Sequence, residues 1–300
     1  MAVARRLAWL VILVLGVALF LLVMNTLIVT KNPNLVPSLI LIGAAVVPAA
    51  FVAFLWGRRL SFGVSGTLLA ITAFIGGVIG VVTAGVLEYD ILKDMGTLPL
   101  LVVGFSEELA KLIFPALLLL PPARLLFADA QRRPAHGLVI GVASGAGFAA
   151  LETMGYAFVV LLASQGSIGA TVGVLLLRGL MSPAAHMAWT GLTAAALWWA
   201  AFRGWQPRAV LSFLGAFVVA VLLHTAWDSF GSTVVHVVWS VMGLGLLIFT
   251  ARRLGREPEP SSHGRALRTS AVQADVQAEL AGKGDYPDQD GNAEAQVAGD

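Results

Sequence analysis

Eight long apolar runs separated by short polar connections make up most of this chain: residues 7–30, 35–56, 64–87, 98–120, 136–163, 183–202, 209–230 and 233–251. A helix rises 1.5 Å per residue, so crossing a hydrocarbon core about 30 Å thick takes about 20 apolar residues. The pattern therefore predicts an all-α polytopic integral membrane protein with about eight transmembrane helices. Arg5 and Arg6 precede the first run, as basic residues precede a signal peptide. That run is too long for a signal h-region and no clean small-x-small site follows, so a retained anchor is expected. Residues 164–182 break the pattern. Ser164-Gln165-Gly166-Ser167 interrupts it, a short apolar stretch with Arg178 follows, and Ser182-Pro183 has the form of an N-cap and first helical position. An interfacial or re-entrant helix at 168–181 is expected, with one continuous 35-residue helix as the alternative.

Charge sets the topology. Arg58 and Arg59 follow the second run, and Arg124, Arg132 and Arg133 follow the fourth. Arg203 and Arg208 lie between the sixth and seventh, and Arg252, Arg253 and Arg256 follow the last. The alternate loops hold Lys31, then Glu88, Asp90, Lys93 and Asp94, then almost nothing. This alternation predicts both termini on the cytoplasmic side of a bacterial-type plasma membrane. It accounts for the basic residues without a nucleic-acid partner. The composition, 58% hydrophobic and 12% charged, excludes a soluble globule. The absence of cysteine excludes disulfides, thiolate catalysis and Cys-type zinc sites. Two parts are expected: a membrane domain over 1–254 and a disordered cytoplasmic tail over 255–300. The tail is Gly-, Ala- and acid-rich and offers too little apolar surface for a core.

Glu107, Glu108 and Lys111 stand where a lipid-facing helix carries no charge. A charge at the bilayer centre costs about 3 kcal/mol, so such residues are rare and usually functional. Glu152, His186, His224 and Asp228 join them from three other runs. Counted from the expected outer helix ends, all lie within roughly 15 Å of one face. Glu107 and Lys111 are i, i+4 with the acid first, the favourable order for a pair. His224 and Asp228 share that spacing, so Asp228 is a candidate to orient His224. Phe148 and Glu152 repeat it among Gly141, Ser144, Gly145 and Gly147, small residues that permit close packing and leave room for a water-filled pocket. The bland alternatives are an ion pair, a satisfied rim pair and helix-packing polar contacts. Arg178 is read as a snorkelling residue and Glu88 as a loop acid. His136, His236 and His263 are read as non-functional, the Trp residues as an interfacial belt and the Gly-rich stretches as packing features rather than phosphate loops.

Glu107-Glu108-Leu-Ala-Lys111 resembles the EExxK motif of the PrsW family of polytopic membrane proteases. Phe148-Ala-Ala-Leu-Glu152 is similar to its FxxxE motif and His224-Thr-Ala-Trp-Asp228 to its HxxxD motif. His186 falls between them, as that family's additional histidine does. The resemblance spans roughly residues 35–250 and extends more distantly to the CAAX prenyl proteases, which carry histidine where this chain has Glu152. It implies proteolysis in or at the membrane, on substrates such as membrane-anchored anti-sigma factors, near the outer face.

The residues themselves suit an endopeptidase in which Glu107 or Glu108 deprotonates a water and Lys111 positions them. His186 and His224 then stabilise the oxyanion or, with Glu108, hold a metal. Two imidazoles and a carboxylate form a zinc-type set with an open position, so zinc is the expected cofactor, with a metal-free glutamate mechanism as the alternative. Single-pass membrane proteins and the bilayer are the expected partners. Two rival classes are a proton- or cation-coupled transporter, for which no inverted repeat is visible, and a scaffold with polar residues as helix glue.

Overall fold

The computed structural model describes residues 2–58, 64–96, 99–120 and 133–255. Among these there are nine helices and no strand: α1 (Ala2–Thr30), α2 (Val36–Trp56), α3 (Gly66–Met95), α4 (Leu100–Leu117), α5 (Pro134–Ala163), α6 (Ile168–Met181), α7 (His186–Phe202), α8 (Pro207–Ser229) and α9 (Thr233–Leu254). Seven segments are long and apolar enough to cross a membrane when 168–202 is counted as one. α4 is not among them: its 18 residues include the three charges. The all-α polytopic reading therefore holds. The described residues belong to the unit Met1–Glu257. The expected tail from Arg256 onward, and Arg59, Arg124 and Arg132, lie outside them.

Helix ends follow local chemistry. Asn32 Oδ1 accepts from the Asn34 amide at 3.0 Å ahead of a single 3-10 turn that leads into α2. Ser65 Oγ accepts from the Leu68 amide at 3.1 Å and Ser167 Oγ from the Ala170 amide at 3.3 Å, capping α3 and α6. Pro134 and Pro207 open α5 and α8, where a missing N–H costs nothing. Gly96, at φ 68°, closes α3 in the left-handed conformation. Arg5 Nε and an Arg5 terminal nitrogen donate to the Trp56 carbonyl at 2.8 and 2.6 Å, so the basic ends of α1 and α2 meet.

α5 is the central helix. Residues 134–146 are buried without interruption, and α2, α3, α4, α6, α7 and α9 pack around the helix. Its small residues serve the close approach expected of them. A Cβ at Gly137 would lie 2.6 Å from the Ala194 carbonyl oxygen, and one at Gly145 would lie 2.6 Å from that of His186. Opposite them, α3 widens to a π turn over Thr72–Gly76 and sets the Ala73 carbonyl against Gly147. Gly145→Ala is expected to cost about 1–3 kcal/mol by overpacking the α5–α7 contact. A lowered Tm in detergent, together with a shifted His186, is the outcome to look for.

Three expectations change. Glu88 is not in a loop: α3 continues eight residues past the expected end at 87, to Met95, and carries Glu88 beside α4. Pro183 does not open a helix. Residues 182–185 form a turn, Ser182 Oγ donates back to the Gly179 carbonyl at 3.0 Å, and α7 starts at His186. Finally, of the interfacial and re-entrant placements expected for α6, the packing favours a helix that runs along α2. Ile168 and Val172 join the cluster formed by Leu35, Val36, Leu39 and Ile40, and Gly179 comes against the Gly43 carbonyl. The helix therefore descends alongside α2, and α6 and α7 form one broken span. The apolar face of α6, with Leu175 fully buried, explains why packing along α2 and α5 wins over an interfacial position.

Candidate active site

All seven singled-out residues converge. α4 supplies Glu107, Glu108 and Lys111 from consecutive turns, and all three are buried. Lys111 Nζ donates to Glu108 Oε1 at 2.6 Å and to Glu107 Oε2 at 3.5 Å. It also lies 4.5 Å over the Phe148 ring of α5, a cation–π contact in a desolvated place. Two carboxylates and one π face thus surround a lysine with no exposed surface. A charge so buried needs that degree of compensation.

Hydrogen-bond chemistry assigns the imidazole tautomers. Lys111 Nζ is 2.9 Å from His186 Nδ1, and an ammonium only donates, so Nδ1 accepts and Nε2 carries the hydrogen. That Nε2 meets Glu152 Oε2 at 2.9 Å. His224 Nδ1 is 2.9 Å from Glu108 Oε1, and a carboxylate only accepts, so here Nδ1 carries the hydrogen. The lone pair of His224 Nε2 is left facing Glu107 Oε2 at 3.3 Å and Asp228 Oδ2 at 3.5 Å. Each imidazole therefore has a carboxylate holding its N–H, while the second nitrogen of His186 accepts from Lys111 and that of His224 faces Glu107 and Asp228. The two rings stand 5.0 Å apart, edge to face, with Trp189 packed on both.

Sequence spacing pointed to Asp228 as the orienter of His224. The tighter partner is Glu108, from another helix, and Asp228 stands at the more exposed edge of the cluster. Arg178, read as a snorkelling residue, reaches Glu152 Oε2 at 2.7 Å and covers the Tyr156 ring at 4.0 Å. The break between α6 and α7 puts it on the same side as His186, which no spacing along the chain reveals. Glu88 Oε1 accepts from Ser106 Oγ at 3.2 Å, one residue before the paired acids.

One group of the described residues has the geometry to hold a metal: Glu107, His186 and His224, all buried, with ligand atoms within 4.8 Å of one another. The donor chemistry fits. Two neutral imidazoles and a carboxylate make a three-ligand set with an open fourth position. The 3.3 Å between His224 Nε2 and Glu107 Oε2 matches the edge of a tetrahedron with bonds of about 2.0 Å, roughly 3.3 Å. The carboxylate in this triangle is Glu107; Glu108, the carboxylate expected from the sequence, has Oε1 engaged by Lys111 and His224 and Oε2 buried without a hydrogen-bond partner.

The chain matches a family model described as PrsW family intramembrane metalloprotease over residues 49–254, a stretch that contains every residue of this cluster. No curated protein and no solved structure matches it. The match covers more than half of the chain, the helices it spans form the site just described, and the family's name implies a metal of the kind this donor set fits. This chain belongs to the PrsW family of intramembrane metalloproteases.

Proposed function

We propose that the chain hydrolyses peptide bonds of single-pass membrane proteins, anti-sigma-factor-like substrates among them. The reaction takes place in the outer half of a plasma membrane, with both termini cytoplasmic and zinc held by Glu107, His186 and His224. The observation that carries this reading is the buried group of Glu107, His186 and His224, whose ligand atoms lie within 4.8 Å of one another. A zinc ion held by these residues would supply Lewis acidity to a bound carbonyl or water. The remaining work falls to the side chains. Glu107 is the member of the acid pair whose side chain meets solvent, at 10% against 0% for Glu108. With Oε2 turned to His224, its Oε1 is the atom that receives the water's proton. Glu108 fixes the His224 tautomer and pairs with Lys111. Glu152 does the same for His186. Asp228 stands at the edge where a peptide enters.

The test is cleavage of a single-pass substrate in proteoliposomes, with the cut mapped against bilayer depth and the metal measured in the purified protein. Cleavage in the outer half with about one zinc per chain is expected. Proton-driven flux without cleavage would overturn the reading. Arg178→Gln removes the support behind Glu152 and is expected to lower kcat about 10–100-fold, the range for groups that orient a metal's ligands. Arg178→Lys is expected to recover part of that loss, since a cation remains beside Glu152.

A further inference from the structure

A proline inside a helix leaves the carbonyl four residues earlier without its donor. In α4 the proline is Pro115 and that carbonyl belongs to Lys111. A neighbour fills the gap: Ser144 Oγ of α5 donates to the Lys111 carbonyl at 2.8 Å. Pro115's own carbonyl accepts from Trp198 Nε1 of α7 at 3.2 Å, while the Leu119 amide turns to Ala116. Ser144 and Trp198 have no exposed surface. The π turn of α3 passes close to the serine, where a Cβ at Gly76 would come within 2.9 Å of Ser144 Oγ.

Ser144, Phe148 and Glu152 recur at i+4 along one face of α5. The first holds the backbone of Lys111, the second lies under its ammonium, and the third meets His186. We propose that Ser144 is a positioning residue for Lys111. Its hydroxyl replaces the amide that Pro115 lacks and fixes the point from which the lysine reaches Glu108, Glu107 and His186. A lysine side chain has four methylenes, so a small rotation at its backbone becomes a large displacement of Nζ. Contacts of 2.6 Å to Glu108 and 2.9 Å to His186 leave little slack for one. The inference rests on the proteolytic reading above for its kinetic arm only.

Ser144→Ala, Pro115→Ala and the double variant test it, by steady-state kinetics on a reconstituted single-pass substrate and by unfolding in mild detergent. Ser144→Ala is expected to lower kcat per folded molecule about tenfold with KM held, since small misplacements of a reacting group are costly. Pro115→Ala restores an N–H that points at the Lys111 carbonyl. The double variant is therefore expected to recover to within about twofold to threefold of Pro115→Ala alone, and loss of the serine to destabilise less in that background. A serine that only packs would lower Tm and leave kcat per folded molecule unchanged. That result overturns the proposal, as does a double variant no better than Ser144→Ala. The unfolding cycle needs no substrate. Additive effects there overturn the hydroxyl-for-amide exchange even if no substrate is cut, whereas a wild-type chain that cuts nothing overturns the proteolytic reading instead.

Discussion

Glu107→Gln is expected to reduce kcat by about 10²–10⁴-fold, the usual span for removing a general base. The amide keeps the shape of the side chain and its place beside His224, but it cannot take a proton and is a poor metal ligand. Metal content should therefore fall with activity, as it should for His224→Ala, which deletes the imidazole Nε2 facing Glu107. Glu108→Gln is the informative contrast. It removes the charge against Lys111 and the acceptor for His224 Nδ1, so its first effect is on folding rather than on the proton. Metal analysis of each purified variant beside kcat separates the roles. A folded Glu107→Gln protein with near-normal turnover, alongside a folded but inactive Glu108→Gln, would transfer the base to Glu108.

Lys111→Met is expected to produce the largest loss of stability of any single change in the site. The lysine is fully buried and touches two carboxylates. Removing one partner of a buried ion pair costs about 3–5 kcal/mol, because the other charge remains without compensation. Folded yield and Tm in detergent report it directly. Adding Glu108→Leu removes the orphaned acid and should restore much of the stability, since an apolar replacement of a whole pair is often neutral. It should restore none of the turnover, because His224 then loses the group that sets its tautomer. Recovery of both together would mean that the pair is only structural.

The site was legible in the sequence to the extent that it depends on helix periodicity and on the cost of charge in lipid. Acids at 107, 108 and 152, a lysine at 111, histidines at 186 and 224 and an acid at 228 are conspicuous within apolar runs, and the structure brings all of them together. Partners from different helices were not legible. The closest carboxylate to His224 Nδ1 is Glu108, 116 residues away, whereas spacing along the chain favours Asp228. Arg178 looked like a snorkelling residue because its helix was expected to be interfacial or re-entrant. Its true direction is set by Leu175 packing against α1 and α2, a tertiary contact that sequence does not display. Glu88 was misplaced for a simpler reason. The polar end of α3, Glu-Tyr-Asp-Ile-Leu-Lys-Asp-Met, is helical although it is not apolar, and hydropathy alone ends a span where its greasy part ends.

The pairing of Lys111 with both glutamates has a consequence for biogenesis. α4 is synthesised before α5, α7 and α8, so it leaves the ribosome without Phe148, His186 or His224 to receive its charges. Three separate ions would make it a poor substrate for insertion on scales where each costs about 2.5–3.5 kcal/mol at the centre of a helix. The spacings of three and four residues let Lys111 meet Glu108 and Glu107 on its own helix. The nascent segment can therefore enter the bilayer carrying one net negative charge instead of three exposed ions. The spacing thus gives the lysine that organises the finished site a second role, as counter-ion within its own helix.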